Sequence, residues 1–322
     1  MTTDPWLLRD HPSRALPTGV PAGVEYHRVL TGERPRVLRG LLAIVLLLAG
    51  LVGFSLLLVQ GAELLDTRVL DRDPATSPLT LLAGSLSLAL LIPWSMLVQR
   101  LLYGVAPSSL HSVTGRFRFD VLGRTLLLLG PLVLVAVGVT AALLGGERVA
   151  WSSSDLVVMF LGGLLISPLA AAGEEYGFRG LMFRVVGGWS RSPRAGLVTG
   201  VVVTTVAFSL VHGTIDPYLL TSYLLLFGSM AVVTWRTGGL ETAVVLHAVY
   251  NLAILLAVTL HLDLLGQLDS RESAAGSPVN LGPAGAVVLA TAIVWWLTRR
   301  SGPVRTPRAA AGDRVVVGAG GR

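Results

Sequence analysis

Two adjacent carboxylates, Glu174 and Glu175, stand at the end of an apolar run in the stretch 171–180, which reads AAGEEYGFRG. Arg179 follows Glu175 by four residues, and positions i and i+4 share a helix face, so these two side chains can pair. Glu174 projects about 100° away from that face. A carboxylate held ionised by an arginine is a poor base, so Glu174 is the candidate general base and Arg179 the residue that orients Glu175. A charge inside a membrane segment costs about 2.5–3.5 kcal/mol on insertion scales. Ionisable groups there are functional candidates unless the helix has already ended in water.

Two of the six histidines have helical partners. His212 closes the run FSLVH, with Phe208 four residues earlier on the same face. His247 opens HAVYN, with Asn251 four residues later. His11, His27, His111 and His261 have no polar partner at helical spacing and read as surface residues. A single histidine within a membrane is commonly a helix-packing hydrogen-bonder. Ionisable groups on three separate apolar runs are harder to assign to packing.

The chemistry these groups allow is narrow. Two imidazoles, two carboxylates and a carboxamide can bind and activate water, with a carboxylate as base and Asn251 as donor to a developing oxyanion. The histidines can also hold zinc or another divalent ion, with His212, His247 and Glu174 as the tentative ligand set. The chain has no cysteine, which excludes a thiol nucleophile, disulfides and thiolate metal sites. All 25 basic residues are arginine, which excludes a lysine Schiff base or a Ser–Lys dyad. Neither G-x-S-x-G nor the metalloprotease helix H-E-x-x-H occurs, so zinc ligands would have to come from different helices.

The elements that must position these groups are membrane helices. The 322 residues are 52% hydrophobic and 14% charged, with mean hydropathy +0.70, as in polytopic membrane proteins. Apolar runs cover residues 38–60, 79–98, 121–144, 156–172, 196–212, 218–235, 243–260 and 283–297. A span needs about 20 residues, with a range near 17–25. Arginines crowd the N-terminal stretch, every second connection and the C-terminal stretch, while the other connections are poor in them or mix them with acids. That alternation predicts an all-α polytopic protein of the cell membrane, with about eight transmembrane helices, both termini cytoplasmic and the site between helices 4, 5 and 7. Residues 1–37 read as a disordered cytoplasmic tail, 38–299 as the transmembrane domain and 300–322 as a basic cytoplasmic tail. The first apolar run begins only at residue 38 and is too long for the h-region of a signal peptide. The pI near 10.4 follows from membrane-end arginines, and no nucleic-acid partner is expected. Ser152–Asp155 offers caps to the fourth span, and Asp216-Pro217 and Gly238-Gly239 read as turns.

Taken together, Glu174-Glu175-x-x-x-Arg179, Phe208-x-x-x-His212 and His247-x-x-x-Asn251 resemble the three-motif pattern of the CPBP intramembrane proteases. That family includes type II CAAX prenyl endopeptidases and the bacterial bacteriocin-processing or immunity proteins of the Abi group. The resemblance covers roughly residues 155–260, and no motif position departs from it. It implies an eight-helix membrane fold and hydrolysis of a peptide bond near the inner membrane face, in a peptide or membrane-protein substrate. It implies that Glu174 with His212 activates the water, and that His247 and Asn251 support the oxyanion. Whether the site is a true metal site, and in what oligomeric state it works, the resemblance leaves open. A non-catalytic scaffold or bacteriocin self-immunity protein is the rival reading, and a secondary transporter a weaker one, because neither repeated halves nor broken helices are visible. Depth poses a constraint. The depths of Glu174 and His212 converge, with the mismatch reduced and not removed, if spans four and five extend past the inner surface as one tall hairpin turning near 187–193. The arms are then about 24 and 33 Å, with residues 178–186 as an interfacial helix.

Overall fold

Short polar side chains cap the starts of the apolar runs. Ser77, Ser152, Ser192 and Asp216 each accept a hydrogen bond from a backbone N–H two or three residues on. Pro78, Pro193 and Pro217 occupy first-turn positions, where the missing N–H would have no helical partner anyway. The computed structural model describes residues 6–8, 16–32, 36–74, 77–144, 152–252 and 276–308. The helices are α1 (Val37–Leu65), α2 (Pro78–Ala89), α3 (Leu91–Tyr103), α4 (Phe119–Leu144) and α5 (Ser153–Glu175). They continue with α6 (Phe183–Gly187), α7 (Pro193–Val211), α8 (Pro217–Thr237), α9 (Glu241–Asn251) and α10 (Leu281–Thr298). A π-helical stretch, Tyr176–Met182, joins α5 to α6 without a break. No strand forms among the described residues.

The all-α polytopic membrane fold is therefore as the sequence predicts. Among the described residues, 7 stretches are long and apolar enough to cross a membrane: Val37–Leu70, Pro78–Tyr103, Phe119–Leu144, Ser153–Gly187, Pro193–Val211, Pro217–Thr237 and Pro278–Thr298. The expected seventh run, 243–260, is described only through α9, and the rest of it lies outside the described residues. The segments before α1 and after α10 pair with each other: Thr306 N–H donates to the Val24 carbonyl at 2.8 Å.

The N-terminal stretch differs from the expectation of a tail. Within residues 16–32, Tyr26, His27 and Arg28 are buried against the bundle. The Tyr26 hydroxyl donates to the Leu110 carbonyl at 2.6 Å, and Arg28 donates to the carbonyls of Gly187 and Ser190 at 2.7 and 2.6 Å. Burial pushes the Tyr26 phenol up to about 12. His27 is not a surface residue: it packs on Phe183, and burial holds its pKa below the usual histidine value. His111 is half-buried and bonded to the Tyr176 hydroxyl, and burial lowers its pKa too. The contacts responsible lie far apart in sequence, so helical spacing gave no sign of them. His11 and His261 lie outside the described residues.

The tall hairpin is present: α5, the π-helical stretch and α6 form one arm, the chain turns at 188–192, and α7 returns. Residues 178–186 are not interfacial, however. Phe178, Leu181, Met182, Phe183, Val185 and Val186 are all buried, covered by α1, α3, α7 and the N-terminal segment.

Small residues set the helix separations, as expected where lipid supplies no drive for helix association. At Gly173, next to the glutamate pair, an added Cβ would collide with the Leu88 carbonyl of α2. A backbone cannot swing aside as a side-chain tip can. Gly173→Val is expected to destabilise the protein by about 1–3 kcal/mol or more. Gly61→Ala within α1, with nothing within 4 Å of the new methyl, is the control and should not lower stability. Thermal unfolding in detergent, followed by size-exclusion chromatography, checks the pair.

Candidate active site

The site begins where α5 passes into the wider π-helical turn, a form that is rare and frequent at functional sites. Glu175 and Arg179 are both fully buried, and Arg179 Nη1 donates to Glu175 Oε1 at 3.0 Å, the i,i+4 pair the spacing predicts. The other faces of the guanidinium are met as well. Its carbon lies 4.5 Å from the Phe208 ring centroid and 4.9 Å from that of Phe227. Nη2 donates to the Phe227 carbonyl at 3.4 Å. A cation removed from water must be compensated by charge and geometry, and here a carboxylate, two ring faces and a carbonyl do so.

His247 of α9 lies between the two glutamates. Its Nδ1 is 2.8 Å from Glu175 Oε1, and its Nε2 is 3.4 Å from Glu174 Oε2. Glu174 therefore projects off the Arg179 face, as expected, and toward this imidazole. The adjacent carboxylates have unequal surroundings. Glu175 has no exposed side-chain surface, whereas 12% of the Glu174 side chain remains accessible. α9 is anchored at its start too. Glu241 takes a bidentate pair from Arg118, with Nε to Oε1 at 2.9 Å and Nη2 to Oε2 at 2.7 Å, both residues buried. Asn251 ends α9, half-buried and one turn beyond His247 on the same face.

His212 follows α7 as its C-cap, half-buried. Its Nδ1 is 2.8 Å from the Phe208 carbonyl. A carbonyl only accepts, so Nδ1 carries the proton and Nε2 of the neutral ring is the acceptor. The Phe208 ring lies 4.8 Å from the His212 ring and 6.2 Å from the His247 ring, and the Phe227 ring 4.9 and 6.3 Å, so two aromatic side chains contact both imidazoles. The structure thus gathers Glu174, Glu175, Arg179, Phe208, His212 and His247, with Asn251 alongside on α9.

Sequence reasoning missed the contribution of α8. Tyr223 and Phe227 line His212 at centroid distances of 4.7 and 4.9 Å, and Phe178 stacks on Phe208 at 4.2 Å. Tyr223-x-x-x-Phe227 has the same one-turn spacing as the other motifs, but in an apolar run that spacing also describes ordinary packing.

Among the described residues, no group of three or more His, Asp or Glu side chains is arranged to hold a metal ion. His247, in the tentative ligand set with His212 and Glu174, has a carboxylate at each ring nitrogen. Neither nitrogen points at open space where a cation could sit. The set as arranged does not fit a metal centre.

Residues 153–253 match the family model described as Type II CAAX prenyl endopeptidase Rce1-like. The match spans roughly a third of the chain and contains all three motifs, so it bears out the resemblance they carry. It supports a membrane protease of the CAAX type. No curated protein matches the chain.

Breaking a buried ion pair by removing one partner costs about 3–5 kcal/mol, because the other charge stays buried. Arg179→Ala should therefore sharply reduce the folded yield of the membrane protein. Arg179→Lys should recover only part of it, since an ammonium lacks the planar fork that pairs with Glu175 and the flat face that lies against the Phe208 and Phe227 rings. Folded yield and melting temperature of both variants test the pair, and full stability in Arg179→Ala would contradict it.

Proposed function

We propose that the chain is an intramembrane endopeptidase. Its substrate is a CAAX-like, bacteriocin-like or other membrane-associated peptide or membrane protein, cut near the inner membrane face. The observation that carries this reading is the unequal treatment of two neighbouring carboxylates. Glu175 is buried and committed to Arg179 and His247, whereas Glu174 keeps accessible surface at the same imidazole. Glu174 is then the general base. It takes a proton from water as the oxygen attacks the scissile carbonyl carbon, and Nε2 of His212 accepts the second hydrogen of that water. Asn251 donates to the oxyanion that forms, while His247, whose two ring nitrogens face Glu175 and Glu174, holds those carboxylates rather than joining the oxyanion as the resemblance implies. Collapse breaks the C–N bond, and the proton held by Glu174 leaves with the amine. Arg179 and Glu175 hold His247 in place.

Glu174→Gln keeps the shape and removes the base. It should insert and melt like the wild type while losing about 10²–10⁴-fold in turnover of a quenched peptide by purified protein in detergent. Wild-type turnover in this variant would sink the assignment. Metal analysis of wild type and His212→Ala, with a strong chelator, tests zinc or another divalent ion in the same assay. Inhibition together with a stoichiometric metal would require the resting arrangement of His247 to change on loading.

The proposed orientation places both termini in the cytoplasm. Arg36, Arg39, Arg191, Arg194, Arg299 and Arg300 are exposed on the segments and turns that gather at the end where residues 16–32 dock. A reporter fused after Arg308 is expected to score as cytoplasmic, and an extracytoplasmic signal would reverse the orientation.

A further inference from the structure

We propose that Tyr223 and Phe227 of α8 are positioning residues for the water-handling imidazole of His212. The proposal rests on the reading of His212 given above and adds a helix to the site that the three motifs do not mention. His212 stands just after the last residue of α7, followed by Gly213 at φ +71°, so helix continuity does not fix its ring on that side. Aromatic rings pack against it. Tyr223 lies against it at 4.7 Å with an interplanar angle of 48°, and Phe227 at 4.9 Å and 46°. These two rings stack on each other at 5.6 Å and 10°, one turn apart on the same face of α8, and so brace each other as an aromatic wall. Phe208 meets the ring edge-on, at 75°.

The wall has a chemical consequence. With the ring held by α8, Nδ1 keeps its hydrogen bond to the Phe208 carbonyl at 2.8 Å. That bond selects the tautomer in which Nε2 is the acceptor. If the wall is removed, the ring can turn about χ1 and χ2, the Phe208 bond is lost part of the time, and the two neutral tautomers mix. The nitrogen that accepts from water is then out of place for much of the time, and misplacement of a catalytic group by about 1 Å can cost 10²-fold. Phe227 also covers Arg179, so substitution there disturbs two groups at once. Tyr223 has no such second charge contact among the described residues, which makes it the cleaner probe.

The experiment compares Tyr223→Leu and Tyr223→Phe with the wild type, each purified in detergent with ¹⁵N-labelled histidine. His212 resonances are assigned by their loss in His212→Gln. In wild type and Tyr223→Phe, the His212 ring nitrogens should show one Nδ1-protonated tautomer, and in Tyr223→Leu averaged shifts. Peptide hydrolysis should follow: kcat falls about 10–100-fold in Tyr223→Leu with KM within twofold, and Tyr223→Phe recovers most of it. Melting temperatures should agree across the three. A single unchanged tautomer in Tyr223→Leu overturns the proposal, and so does a kcat loss that tracks a fall in melting temperature or that Tyr223→Phe fails to restore. If the wild type hydrolyses nothing, the peptidase reading fails, yet the tautomer comparison still decides whether α8 positions His212.

Discussion

A guanidinium taken wholly out of water must have its charge met at short range, and Arg179 is that guanidinium. Meeting it fixes much of the surrounding structure. Glu175 supplies the carboxylate from the same helix, Phe208 of α7 and Phe227 of α8 supply the ring faces, and the Phe227 carbonyl supplies an acceptor. Glu175 Oε1 also receives His247 from α9. Four helices therefore meet at one ion pair, and the position of each relative to the others follows from contacts a few ångströms long. The hydrolytic reading of the site depends on this as well, because committing Glu175 to the pair distinguishes it from Glu174.

Arginine does similar work at the docked end of the bundle, with carbonyls in place of carboxylates. Arg184 Nη2 donates to the Ser109 carbonyl at 2.6 Å and lies 3.9 Å over the Tyr26 ring. Arg236 reaches Oγ1 and the carbonyl of Thr298, both at 2.6 Å, and Arg28 spans the turn between α6 and α7. The planar fork suits several acceptors at once, which a lysine ammonium would match less well in so dry a setting. Arginines in these connections read from sequence as topological charges, yet Arg28, Arg184 and Arg236 are buried tie-points between connections. Exposed arginines on the same segments still follow the alternation, so one residue type contributes both to cohesion and to the charge bias.

The same end explains why the segment before α1 is packed. Glu25 accepts from the Trp235 indole at 2.8 Å and pairs with Arg305 at 3.0 Å, while Thr306 bonds to Val24 through both backbone and side chain. Each contact joins residues more than 200 positions apart. A polar, proline-containing stretch with no periodic apolar face offers a sequence reader no sign of such partners.

Local rules determined a good part of this protein from sequence. Hydropathy run lengths located the spans, because a bilayer demands about 20 apolar residues whatever their neighbours. Capping groups at 152–155 and a turn at Asp216-Pro217 were legible beside the starts of α5 and α8, and i,i+4 spacing gave the Glu175–Arg179 pair, since helix geometry alone brings those atoms together. The three motifs supplied Glu174, His212, His247 and Asn251 as candidates. Only the tertiary structure could decide that His247 sits between both glutamates, that α8 walls His212 with Tyr223 and Phe227, and that His27 is buried. Those outcomes depend on how separate helices rotate and cross, which is set by close approaches such as Gly173 against Leu88 and by distant buried pairs such as Arg118 with Glu241. No periodicity within a single helix encodes the rotation of its neighbour, so that part of the site became legible only once the helices had packed.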